Sequence, residues 1–196
     1  MKRTVPWTLL LMLLLGTWLA SCGTRETLIQ ARAADMNLAA EDLGRPVTMQ
    51  ERPMQEILQL VQQPPEDTRL ARDANMRTFT FSDSEVIAVI LVASSSTEAK
   101  ATLRDARSNF EKGAKDALGQ TATIQVEELT VPQLGDETFF ARVQLPGDRG
   151  PGYILGFRKN NVAGLIIAYG PAGALDEEWL RGLGQKMFQR LPAPTP

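Results

Sequence analysis

The chain has no histidine and a single cysteine, Cys22, among its 196 residues. The missing imidazole removes the commonest general base and the commonest metal ligand. It also removes the Ser-His and Cys-His pairs that activate most nucleophiles. One cysteine closes no disulfide within the chain, so the fold must stand on packing. A lone thiol also leaves zinc, haem and iron–sulfur centres without their usual ligand sets, and no cofactor is expected. Basic charge is in short supply as well, 21 Lys+Arg against 23 Asp+Glu. Nucleic acid requires a basic face, and electrostatic attachment to anionic lipid requires a polybasic stretch. Neither is written here, so no nucleic-acid partner is expected.

What is present is concentrated first at the amino terminus. Lys2 and Arg3 precede a Leu-rich run from Val5 to Leu19, which ends in the small residues Ala20 and Ser21. A basic start, a short apolar core and small residues form the layout of a secretory signal. The run is short for a spanning helix, which needs roughly 20 apolar residues, and it carries Pro6 and Gly16. Leu19-Ala20-Ser21-Cys22 resembles the lipobox of bacterial lipoproteins. That resemblance implies cleavage between Ser21 and Cys22, a diacylglycerol on the Cys22 thiol and an acylated new amino terminus. It implies a membrane partner reached through the lipid on Cys22, on the extracytoplasmic side. The cytoplasmic membrane is the first expectation and an outer membrane the second, because Gly23 stands where inner-membrane retention signals carry Asp. Two acyl chains hold a protein stably where one holds it only marginally. Cleavage takes two basic residues and no acidic one from the 21 and 23 of the whole chain, leaving a net charge near −4.

The organisation follows: residues 1–21 a signal peptide, 22–26 a lipidated tether, 27–191 one domain and 192–196 a Pro-rich tail. Leu28 to Leu43 is Ala-rich and reads as either helix or strand. Met54, Ile57, Leu58 and Val61 repeat at helical spacing before Pro64-Pro65. Glu66 to Asn75 is charged and reads as loop. Arg77 to Phe81 alternates like a strand, Ser82-Asp83-Ser84 is turn chemistry, and Val86 to Ala93 is a continuous apolar strand. Ser95-Ser96-Thr97-Glu98 opens a helix as a capping box, with Leu103, Ala106, Phe110, Ala114 and Ala117 on one stripe and Gly119 as its stop.

Beyond it, strands are expected at Ile124–Val126 and Phe139–Leu145. A hairpin, Tyr153–Lys159 and Val162–Tyr169, turns at Asn160-Asn161. Asn tolerates the positive φ that a type I′ turn requires at both positions. Asp176-Glu177-Glu178 places acid where a helix dipole favours it, and Leu180, Leu183, Met187 and Leu191 form the stripe of a closing helix. Hairpin-then-helix thus occurs twice. The fold class expected is α+β, an antiparallel sheet with helices packed on it, and the recurring order is a candidate duplication. The pattern around Leu134-Gly135-Asp136, the Phe157-to-Tyr169 hairpin and the closing helix, over the last third, also resembles small secreted lipoprotein and sensor domains of bacteria, a likeness that brings no functional residues with it.

Three constellations could carry chemistry. Thr97-Glu98-Ala99-Lys100 has the Ser/Thr-x-x-Lys spacing of serine acyltransferases, but the Ser-Asp-Asn and Lys-Thr-Gly partners are missing and helix capping explains Thr97. Asp136-Glu137 could be paired carboxylates, but neighbouring strand residues point to opposite faces, and the pair reads instead as the turn before strand Phe139–Leu145. Gly147, Gly150 and Gly152 are broken by Pro146 and Pro151 and lack the strand–loop–helix order of a phosphate cradle. No catalytic residue is assigned. The function expected is a lipid-anchored, non-catalytic binding, sensing or assembly module, with an envelope hydrolase using carboxylates or a Ser–Lys pair as the alternative. Both faces of the central strands are apolar, where an ordinary antiparallel sheet wets one. Two helices are expected to cover one face, and residues 50–63 the other, with an envelope protein or a second copy as the alternative cover.

Overall fold

The computed structural model describes residues 26–53, 55–56, 71–118, 125–144 and 150–195, without the side chains of 109–118. The expected α+β class is what the chain adopts. Its strands are β1 (Thr48–Pro53), β2 (Ala71–Phe81), β3 (Ser84–Ala93), β4 (Gln125–Glu128), β5 (Glu137–Gln144), β6 (Gly152–Lys159) and β7 (Val162–Tyr169). The helices are α1 (Ala33–Met36), α2 (Ser96–Leu118) and α3 (Glu177–Gln189), with a 3-10 turn at Ala40–Leu43. The strands form one antiparallel sheet in the order β1-β2-β3-β7-β6-β5-β4. The two hairpins meet at the centre through β3 and β7.

Each face of this sheet has its own cover. Phe79, Val86, Ala88, Ile90, Phe140, Leu155, Phe157 and Ile166 are buried on one face under α3, whose Leu180, Leu183 and Met187 join the same cluster. Leu191, the last residue of the expected stripe, is buried there too. The segment from Ile29 to Leu43 lies on this face as a strap, contributing Ile29, Met36, Leu38 and Leu43. On the opposite face α2 packs through Ala99 and Leu103, both buried. A methyl group at Gly156 would lie 2.9 Å from Leu103 Cδ1 and 2.4 Å from Phe139 Cε1, so the bare backbone of β6 is what lets α2 approach.

The expectation that both helices share one face is therefore corrected. Both sides of β3, β6 and β7 are apolar, and each must be covered from its own side. The recurring hairpin-then-helix order does not extend to a recurring placement of the helices. Residues 50–53 of the segment assigned to the second face belong to β1, paired at the sheet edge with Asn75 to Thr78. Met54, Ile57, Leu58 and Val61 lie outside the described residues, as do the Phe110 side chain and Gly119.

Three local expectations are also revised. Ala71 to Asn75 is strand, because Asp73 and Asn75 serve as polar partners for the strap: Asp73 Oδ2 accepts from Ala33 N at 2.7 Å and Asn75 Oδ1 from Asn37 Nδ2 at 2.8 Å. Leu28 to Leu43 is neither a full helix nor a strand, but a short helix and a 3-10 turn in otherwise extended chain. The Asn160-Asn161 turn departs from type I′. Asn160 has φ 57°, whereas Asn161 is not among the positive-φ residues. Asn161 is held instead by its burial and its tertiary hydrogen bonds. The expected register holds, with Tyr153 opposite Ala168, Leu155 opposite Ile166 and Phe157 opposite Gly164.

Candidate functional site

The helix caps fall where the sequence puts them. Ser95 Oγ accepts from Glu98 N at 3.2 Å, making Ser95 the residue that caps α2. Asp176 Oδ1 accepts from Glu178 N at 3.0 Å and caps α3. Thr97 is exposed on the first turn of α2. Lys100, its partner in the Ser/Thr-x-x-Lys spacing, extends to Glu137 Oε1 at 3.3 Å.

The Asp136-Glu137 carboxylates do converge, against the expectation from strand alternation. Asp136 lies in the turn expected before β5, so the two-residue period does not govern it. Both carboxylates meet the guanidinium of Arg158: Nη1 lies 2.9 Å from Asp136 Oδ2 and Nη2 lies 3.4 Å from Glu137 Oε1. Asp136 Oδ2 also accepts from Asn160 N at 2.7 Å, and Arg158 Nη1 donates to Asn160 O at 3.0 Å. The acids thus fasten the start of β5 to the β6–β7 turn. Lys159, a possible anion contact at that turn, donates instead to Leu191 O at 3.2 Å.

Beside this cluster is an open cleft of about 460 Å³ lined by Leu103, Arg107, Gln133, Asp136, Glu137 and Phe139. Arg107 lies over the Phe139 ring at 5.7 Å and pairs with Glu128. A groove of this size and mixed character suits a polar side chain or peptide segment better than a buried apolar ligand. A second cleft, of about 500 Å³, lies along the outer strand β4 and holds Arg142. Arg142 joins three elements, with Nη2 2.6 Å from Glu127 and Nη1 3.0 Å from Glu177. The hydrogen bond to Glu127 holds its proton more tightly than usual. Burial raises the nearby Tyr153 hydroxyl above the ordinary tyrosine range, and the hydrogen bond from Arg142 works against that rise.

Two further groups are perturbed. The hydrogen bond from Asn75, followed by Arg77, holds the Glu51 carboxyl below its usual range. Burial, reinforced by the Glu85 carboxylate at 2.5 Å, pushes the Tyr169 hydroxyl up to about 12. Among the described residues, no group of three or more His, Cys, Asp or Glu side chains could hold a metal ion. No helix among them is long and apolar enough to cross a membrane. Ser21 and Cys22 lie outside the described residues. Sequence reasoning missed Arg158, Arg142 and Arg107 as organising residues. The available signal was arginine within otherwise apolar β6 and β5, where a charge must find partners.

No family model matches the chain, and no curated protein matches it. Among solved structures it is similar to the extracellular domain of PknH from Mycobacterium tuberculosis, with a TM-score of 0.53 at 12% identity, covering 84% of this chain and 97% of that one. It is also similar to an uncharacterised protein, the Rv0999 ortholog, from Mycobacterium smegmatis, with a TM-score of 0.45 at 15% identity, covering 80% and 85%. At 12% identity the likeness to the PknH domain is one of fold.

Proposed function

We propose that the chain is a non-catalytic binding or sensing module held on the extracytoplasmic side of a membrane by lipid on Cys22. The observation that carries the non-catalytic reading is the use made of the reactive side chains. Asp136 and Glu137 clamp Arg158, and Lys100 pairs with Glu137 rather than serving Thr97. Groups held this way position backbone. The lipobox at Leu19–Cys22 supports the anchor, and the fold shared with an extracellular domain supports the location. The cleft beside Arg107 and Phe139 is the surface best suited to a polar partner.

Two measurements test the reading. Cys22→Ala should abolish incorporation of labelled palmitate and leave the amino-terminal segment uncleaved; a Cys22→Ala chain that still takes up label would overturn the anchor. Capture from detergent-solubilised membranes with the wild-type chain should recover an envelope partner that is lost when Arg107→Glu reverses the charge of the cleft. Capture that survives Arg107→Glu would remove the cleft from the binding surface.

A further inference from the structure

The last residue of the tether and the segment that follows it are fixed at one end of the sheet. Glu26 Oε1 accepts from Ser96 N at 3.0 Å, at the start of α2. Thr27 O accepts from Asn160 Nδ2 at 2.8 Å, at the β6–β7 turn. Leu28 O accepts from Thr195 N at 3.3 Å, so the carboxy-terminal tail reaches the same end. Ile29 N donates to the buried Asn161 Oδ1 at 2.8 Å. Four consecutive residues are thus tied to the loops and turns of one pole, and Cys22 lies four residues before the first of them. At about 3.5 Å per residue, that tether reaches no more than about 14 Å. Strand β3, with 10 residues, runs from the opposite pole to this one, and at about 3.3 Å per residue it is about 30 Å long.

We propose that the pole formed by Glu26–Ile29, the start of α2 and the Asn160-Asn161 turn lies against a phospholipid surface, with the strands standing off it and the Ser82-Asp83 turn outermost. This rests on the lipid-anchored reading. The tether is shorter than the domain and attaches at its end, which keeps that end within reach of the headgroups.

Charge favours the same orientation. The exposed residues at the anchored pole are mixed, Arg32, Arg72 and Lys100 beside Glu26 and Asp136. At the far pole Asp83, Asp176 and Glu178 are exposed, with Arg45 as their basic neighbour. The mature chain carries a net charge near −4. Electrostatic repulsion from anionic lipid decays over about 8 Å at physiological salt. Standing upright holds the acidic far pole beyond that distance. The far pole and the flanks are then the surfaces left free for a partner.

The lipidated full-length chain offers a clean assay, because acylation of Cys22 leaves no other thiol. Single fluorophores are placed through Lys100→Cys at the anchored pole, Asp83→Cys at the far pole and Thr80→Cys on the α2 side of β2. Each protein is reconstituted in vesicles of zwitterionic and anionic phospholipid carrying a headgroup nitroxide. Flotation with the vesicles reports the anchor separately from the quenching. Upright standing requires the Lys100→Cys label to be quenched several-fold more than the other two. Floating protein whose Thr80→Cys label is quenched as strongly lies on the α2 face, and the orientation is wrong while the anchor stands. Equal quenching at Asp83→Cys likewise overturns the orientation alone. Protein that does not float overturns the anchor and the orientation with it.

Discussion

Gly164→Ala tests how the sheet is packed. A methyl group built at Gly164 would lie 2.2 Å from Phe157 Cζ and 2.7 Å from both Cε1 and Cε2. The ring of Phe157 therefore rests over the bare backbone of β7 and fills the space a side chain would take. It has little freedom to retreat. Phe157 is fully buried, and Phe188 of α3 meets it edge-on with ring centroids 5.7 Å apart. Overpacking of this kind costs about 1–3 kcal/mol. For a domain of this size each kcal/mol moves Tm by about 2–4 °C, so a loss of about 2–12 °C is expected. The measurement is thermal unfolding of the mature chain by circular dichroism. Gly182→Ala serves as the control, because Gly182 lies in α3 and a methyl there meets nothing within 4 Å. Removing backbone freedom at such a site stabilises by about 0.5–1 kcal/mol. Adding Phe157→Leu to Gly164→Ala should return part of the loss by making room. A Gly164→Ala chain that melts at the wild-type temperature would refute the packing described.

Two more outcomes follow from buried and perturbed groups. Asn161→Ala removes the side-chain partners of Ile29 N, Ile29 O and Ala93 O. At about 1–3 kcal/mol per unsatisfied buried group, the loss should be at least about 3 kcal/mol. Hydrogen exchange at the Ile29 amide should accelerate far more than at Leu155; equal acceleration would show that Asn161 does not fasten the strap. The fold pushes the Tyr169 hydroxyl from its ordinary 10.0 up to about 12, so the unfolded chain gives up its proton first and stability falls as pH rises from 10 toward 12. Near-ultraviolet titration should show Tyr169 moving back toward 10.0 in Glu85→Gln, because the neighbouring carboxylate is one cause of the rise; an unmoved midpoint would remove Glu85 from the account.

Much of the sheet was legible because its signals are local. The 153–169 hairpin reads from two apolar runs around a pair of asparagines, and its register follows from alternation alone. Capping residues Ser95 and Asp176 mark the starts of α2 and α3 because they satisfy amides within their own first turn. The choice of face for each helix was not legible, since the apolar stripe of a helix does not say which side of a two-sided sheet receives it. Gly156 and Gly164 held part of that information. They sit on opposite faces, and in each case a neighbouring large side chain occupies the vacant volume.

The polar residues explain the rest. Asp73 and Asn75 read as loop because charged and amide side chains are ordinarily solvated, yet here they belong to β2 and receive the strap. Asn37 gives its amide to Asn75 and to Ala88 O, and Asn161 links the strap to the end of β3. Each of these bonds spans 38 or more residues, and local periodicity carries nothing about such pairs. The same holds at the Asp136–Arg158 clamp, where two carboxylates that could have been read as chemistry are spent on one guanidinium 21 and 22 residues away. An amide or acid inside or beside an apolar strand of this chain is therefore better read as a fastening than as a reactive group. The Asn161 and Asp136 fastenings lie at the pole where the strap enters, while that of Asn37 lies midway along β3. Loss of Asn161 or Asp136 should then weaken that pole before it disturbs the core under α3.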